Sequence, residues 1–214
     1  MYISQVEIDR ENREAMRRLN HVGAFHHWVE SSFPVEMKSG QRSRKLWRID
    51  PLNGCKYLLI VSPEKPDLRA LEKFGVENTA QTKSYDKFLN SLMDGMQARF
   101  RVTLNPVIAS RKDVETGERG RVLPHITEAA QRQFLMERAE KNGFSLHEEE
   151  FYIVERDFVL YRKSGQRQMR LNKVTYEGQL TIVDADRLRK TLIKGFGKKK
   201  AYGFGMMTVI PVLR

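Results

Sequence analysis

One order of elements, β-α-β-β-α-β, can be read twice along these 214 residues, and a doubled order leaves few arrangements for a chain of this length. The first copy opens with Tyr2, Val6 and Ile8 on one face of an alternating pattern, which predicts a strand over residues 2–8. A helix over residues 12–34 follows. Asn12 can cap it, and Ala15, Met16, Leu19, Phe25, Trp28 and Val29 recur at three- to four-residue spacing; Gly23 weakens its middle and Pro34 marks its end. Residues 45–49 and 56–61 read as strands joined through Asp50-Pro51-Leu52-Asn53-Gly54, because Pro fixes φ and Asn-Gly accepts positive φ. A short helix over 67–74 and a strand near 79–85 complete the unit.

In the second copy, residues 98–104 alternate basic with apolar side chains and stop at Asn105-Pro106, and a helix over 127–141 is ended by Asn142-Gly143. Residues 151–161 and 169–183 form a long hairpin around Ser164-Gly165. Asp184 can cap a helix that runs through Lys194 and stops at Gly195, and residues 206–212 close with a strand. The fold class predicted is α+β: two tandem ferredoxin-like βαββαβ domains, a geometry shared with RNA recognition motifs. Breaker-rich Asn90-Ser91 and Asp94-Gly95 put the division at 1–92 and 93–214. Such a fold hosts many functions, so function must be argued from side chains.

Charge is the first of those arguments. There are 38 Lys and Arg against 27 Asp and Glu, net +11. Residues 1–100 hold 16 basic and 13 acidic side chains, net +3, and residues 101–214 hold 22 and 14, net +8. Two acid-free stretches concentrate the excess, one from Phe158 to Tyr176 and one from Arg187 to the C-terminus, where ordinary surfaces mix both signs. A polyanionic partner fits. No apolar run is long enough to span a membrane, and Met1 to Glu14 includes acids without an apolar core, so neither a membrane protein nor a signal peptide is expected and a cytoplasmic location is. The single Cys55 excludes an internal disulfide and a Cys-type zinc site.

Five histidines, His21, His26, His27, His125 and His147, fit no HExxH metal motif, so no metal or other cofactor is expected. The His26-His27 pair is the interesting one, because imidazole titrates near neutrality and can take a proton from a ribose 2′-OH or give one to a leaving 5′-oxygen. RNA brings its own nucleophile, so cutting it needs acid-base groups and cations around the phosphate rather than a metal. The segment Gly195-Phe-Gly197-Lys198-Lys199-Lys200-Ala-Tyr-Gly203-Phe-Gly205 adds lysines among glycines that let backbone amides approach a phosphate; it lacks the Walker spacing.

Gly195-x-Gly197-x-x-Lys200-x-x-Gly203-x-Gly205 followed by Met206-Met207, with Met1-Tyr2-Ile3, Arg99-Phe100-Arg101 and Tyr176-Glu177-Gly178, resembles the CRISPR-associated RNA-processing endoribonucleases of the CasE subfamily, type I-E. The resemblance covers nearly the whole chain. It implies two ferredoxin-like domains and metal-independent cleavage of CRISPR repeat hairpins at their 3′ base, giving 2′,3′-cyclic phosphate and 5′-OH ends. It also implies partners: precursor and mature CRISPR RNA, and the other Cascade subunits. The family histidine falls on His26. Many members carry Tyr three residues earlier, where this chain has Gly23, so another group must supply the second role; His27, His21 and Lys38 are candidates. Arg162, Lys163, Arg167, Arg170 and Lys173 of the hairpin are then expected to grip the RNA stem, and the glycine-lysine segment to lie across the domain interface near the first helix. A non-catalytic RRM-like RNA-binding protein, or a structural subunit of a ribonucleoprotein, is the alternative.

Overall fold

The protein is described from a computed structural model, over residues 1–109, 122–162 and 168–212. Strands β1 (Tyr2–Glu7), β2 (Leu46–Leu52), β3 (Cys55–Ser62) and β4 (Gln81–Ser84) form an antiparallel sheet in the order β2-β3-β1-β4. Helices α1 (Arg13–Arg18), α2 (Val22–Ser31) and α3 (Pro34–Ser39) lie between β1 and β2, and α4 (Leu68–Leu71) between β3 and β4. Asn53 and Gly54 both take positive φ in the β2–β3 turn, as that tight connection requires. This is the ferredoxin-like arrangement.

The second sheet repeats it. Helix α5 (Asp86–Asn90) leads into β5 (Gln97–Leu104), a short ribbon of β6 (Val107–Ala109) with β7 (Val122–Pro124), helix α6 (Glu128–Ala139) and β8 (Phe144–Ser145). The hairpin β9 (Phe151–Tyr161) with β10 (Met169–Ile182), helix α7 (Ala185–Lys194) and β11 (Met207–Pro211) complete the order β11-β5-β10, with β9 and the short β8 both beside β10. Alternation explains β5: Ala98, Phe100, Val102 and Leu104 are buried while Arg99 and Arg101 face outward. Leu188, Thr191 and Leu192 give α7 its buried stripe, and each apolar side chain so buried stabilises by about 1.5–3 kcal/mol.

Several expectations are corrected. The helix over 12–34 is two helices, α1 and α2, and the break falls at His21 rather than Gly23. His21 is extended and its Nδ1 accepts the amide hydrogens of Gly23 (3.1 Å) and Ala24 (3.3 Å), capping a new helix where the apolar spacing suggested continuity. Pro34 opens α3 instead of only closing what precedes it, since its missing N–H costs nothing at a first helical position. The β6–β7 ribbon and α5 were not expected. The hairpin turn at Ser164-Gly165 lies outside the described residues.

The two sheets share a buried seam. Leu46 and Val61 of the first half join the core that holds Phe100, Leu135, Val174 and Leu188. Arg48 crosses from β2, its Nη1 donating to the carbonyls of Arg101 (2.7 Å) and Met206 (2.8 Å), its Nη2 to Thr208 (2.7 Å), with Asp50 balancing the charge. Among the described residues no helix is long and apolar enough to cross a membrane.

Candidate active site

Helix α2 presents His26 on one face and buries Trp28 on the opposite one. His26 is half-buried, and Glu30, four residues on, is buried on the same face. The ring of Tyr202 meets His26 edge-on, with centroids 5.5 Å apart. Tyr202 is held in turn by Tyr161, whose hydroxyl lies 3.0 Å from its own. That bond, more than burial, pushes the Tyr202 phenol up to about 12, so it stays protonated at neutrality and acts as a support.

The rest of the cleft, about 540 Å³, comes from two remote segments: the strap Arg42-Ser43-Arg44-Lys45 and the run Lys199-Lys200-Ala201. The strap is pinned by a half-buried carboxylate. Glu36 of α3 accepts from the Ser43 amide (2.8 Å), the Ser43 hydroxyl (2.6 Å) and Lys45 (2.6 Å), and Glu30 stands 3.5 Å from the same ammonium. Burial alone would raise the Glu36 carboxyl, yet Lys45 and Ser43 outweigh it and bring it below the usual carboxylate value. Lys45 is therefore neutralised, whereas Arg42, Arg44, Lys199 and Lys200 have no ion-pair partner among the described residues. They leave the cleft positive. Burial lowers His26, which Glu30 opposes and Arg42, Lys45 and His27 reinforce; burial and then Arg44 lower Lys200.

The glycine-lysine segment spans the two halves as expected, but its glycines act by packing. A side chain at Gly203 would start 2.8 Å from the Trp47 ring, and one at Gly205 would run into the Phe196 carbonyl oxygen. The amides of Gly195 and Gly205 are spent on Thr191 and Thr103, so those two glycines shape the segment rather than offer it donors. Gly197 and Lys198 are exposed and Gly203 lies over Trp47. Trp47 donates from its indole to the Ala201 carbonyl (2.9 Å), fixing the lysines over the cleft.

The other sequence candidates separate. His27 is exposed, one helical step round from His26, and Lys38 is exposed on α3 outside the cleft lining. His21 is spent on its helix cap. Arg162 and Arg170 are exposed near the described ends of the hairpin. Lys173 is bound to Glu155 (2.7 Å), and alternation along β10 turns it to the face opposite Arg170. Lys163 and Arg167 lie outside the described residues. Sequence reasoning missed Arg42, Arg44 and Tyr202; the acid-free run of residues 37–49 was the signal available for the first two.

A family model described as "CRISPR associated protein" matches residues 1–211. The chain belongs to the CRISPR-associated protein family. Within that family, it is 29% identical over 222 residues to the CRISPR-associated endoribonuclease Cse3 of Thermus thermophilus, covering 99% of this chain and all of the relative. A structure of the CRISPR endoribonuclease Cse3 bound to 19 nt RNA superposes with a TM-score of 0.76 at 26% identity, covering 99% of this chain and 100% of that one. Thermus thermophilus Cse3 bound to an RNA representing a pre-cleavage complex gives 0.76 at 25% identity, with 98% of each chain covered. These likenesses span both sheets of this CRISPR-associated protein, from β1 to β11.

Proposed function

We propose that this protein is the endoribonuclease that cuts CRISPR repeat hairpins in precursor CRISPR RNA and stays bound to its product among the other Cascade subunits. The observation that carries the reading is a single half-buried imidazole, His26, set among four cations without an ion-pair partner among the described residues, in a chain that matches Cse3 along its whole length. The domains are residues 1–92, carrying His26, and 93–214, carrying most of the charge.

An imidazole held below its usual value is neutral at physiological pH and so ready to accept a proton. His26 takes the proton of the ribose 2′-OH as that oxygen forms its bond to phosphorus. The bond from phosphorus to the 5′-oxygen breaks, and Lys200, whose ammonium burial makes a better acid, returns a proton to the leaving oxygen. A 2′,3′-cyclic phosphate and a 5′-OH result. Arg42, Arg44 and Lys199 stabilise the charge that builds on the phosphoryl oxygens. Tyr202 orients His26, filling the need left by Gly23; a side chain there would start 2.9 Å from His21 and 3.3 Å from the Arg162 carbonyl. Arg162 and Arg170, with Lys163 and Arg167, serve the stem.

The alternative of a non-catalytic RRM-like module is weaker on one observation. RRM domains lay bases on the sheet face, and here Arg101 of β5 is committed to Asp50 and Glu177. The test is direct: with EDTA present, the wild type should cut a cognate repeat hairpin once, and His26→Ala should lose at least about a hundredfold in rate with binding little changed. Undiminished cutting by the variant overturns the assignment.

A further inference from the structure

Tyr202 stands beside two cavities, lining one and meeting His26 of the other edge-on. The second is the His26 cleft; the first is a pocket of about 210 Å³ lined largely by apolar groups, among them Phe25, Trp47, Val159 and Phe204. The two adjoin at two places. Phe25 precedes His26 in α2, and Ala201 of the cleft accepts the indole N–H of Trp47 of the pocket. Phe25 and Trp47 stack with centroids 5.9 Å apart and planes 26° from parallel. Nothing in the proposed chemistry uses this pocket.

Its chemistry excludes a phosphate and fits a base. The ammonium of Lys173 at its rim is neutralised by Glu155, and Arg48 is saturated by carbonyls and Asp50. The polar groups left are those of a base-reading edge. His21 accepts two amides at Nδ1, so its neutral ring carries the hydrogen on Nε2 as a donor, and Asn20 offers an amide beside it. Aromatic walls with few polar groups are how proteins hold single unstacked bases of RNA.

We infer that this pocket receives the nucleobase immediately 3′ of the cut, stacked on its aromatic wall; the inference rests on the endoribonuclease reading above. In-line attack needs the 5′-oxygen opposite the 2′-oxygen, which the regular helical backbone does not provide, so the strand must turn at the scissile phosphate. The base beyond the 3′ foot of a hairpin is already unpaired and costs the least to splay. Seating it beside Tyr202 holds the turned phosphate at His26. The product lacks this nucleotide, so the pocket contributes to precursor binding and not to product binding.

The test uses full-length protein, EDTA and a precursor made uncleavable by a 2′-deoxy nucleotide at the cut. Removing the base 3′ of the cut as an abasic site should weaken binding on the order of tenfold. Phe25→Leu, which keeps apolar bulk and removes the ring, should lose a similar factor on the intact precursor, nothing further on the abasic one, and nothing on the product hairpin. Fluorescence of 2-aminopurine at that position, which needs no variant, should be quenched on binding by stacking. Equal affinity for intact and abasic precursors, penalties that add, an unquenched probe, or a penalty that falls on the base 5′ of the cut each overturn the pocket assignment. Failure of the wild type to bind and cut the intact precursor would instead sink the endoribonuclease reading.

Discussion

Lys200 differs from its neighbours in where its charge goes. Lys198 is solvated and Lys199 lies over the Tyr161 ring at 5.0 Å, whereas Lys200 is partly withdrawn from water, bonded to the Gly195 carbonyl at 3.2 Å and repelled by Arg44. Both proposed acid-base groups are thereby shifted downward, and the signs fix a pH profile. The base works when deprotonated, so the rate should rise with pH through a value below the ordinary 6.5 of imidazole. The acid works when protonated, so the rate should fall above a value below the ordinary 10.5 of lysine. Single-turnover cutting across pH should show that bell, and Lys200→Ala should remove its alkaline limb while costing about 10²–10⁴ in rate. A substrate with sulfur at the 5′ bridging position leaves without a proton, so it should restore cutting to Lys200→Ala and not to His26→Ala. Restoration of neither variant would remove Lys200 from the acid role.

At the scale of elements, the strap of residues 40–45 does for the cleft what no helix could. It is irregular backbone, yet its order comes from Glu36, which satisfies Ser43 twice and Lys45 once, leaving Arg42 and Arg44 to face His26. Replacing both arginines by alanine should weaken RNA binding and lower the slope of log K against log salt by about 1.4, the value for two phosphate contacts on a single strand. An unchanged slope would place the strap off the RNA. Elements whose signals are local were legible in the sequence: the caps Asn12 and Asp184 each accept the amide three residues on, and the Asn53-Gly54 turn takes the φ values its residues favour. The break at His21 was not, because the apolar spacing runs through Leu19 and Val22 while an imidazole does the capping. The strap was not legible either, since its order depends on a carboxylate seven residues from Ser43 whose role appears only when α3 folds back. Tyr202 was hidden for a related reason: its partners, His26 and Tyr161, are 176 and 41 residues away.

Across the whole molecule, the proposed base and acid belong to different sheets, so activity depends on how the two halves meet. His26 rides on α2 of the first, and Lys199 and Lys200 on the segment before β11 of the second. Arg48 is the polar bolt between them, 2% exposed and donating to two carbonyls and a hydroxyl of the second half. Removing it leaves the carbonyls of Arg101 and Met206 without that donor in a dry seam, at about 1–3 kcal/mol for each buried acceptor left unpaired, while Asp50 keeps Arg101 as its partner. Arg48→Met keeps most of the apolar volume, so its loss falls on the polar bonds rather than on a cavity. The variant should unfold at lower denaturant, and below that transition, where it is still folded, it should also cut more slowly as Lys200 drifts from His26. Binding of the stem through the second half should change less than cutting. A variant that is destabilised yet cuts at the wild-type rate while folded would show that the seam supports the fold alone, and that Trp47 and its bond to Ala201 suffice to hold the lysines over the histidine.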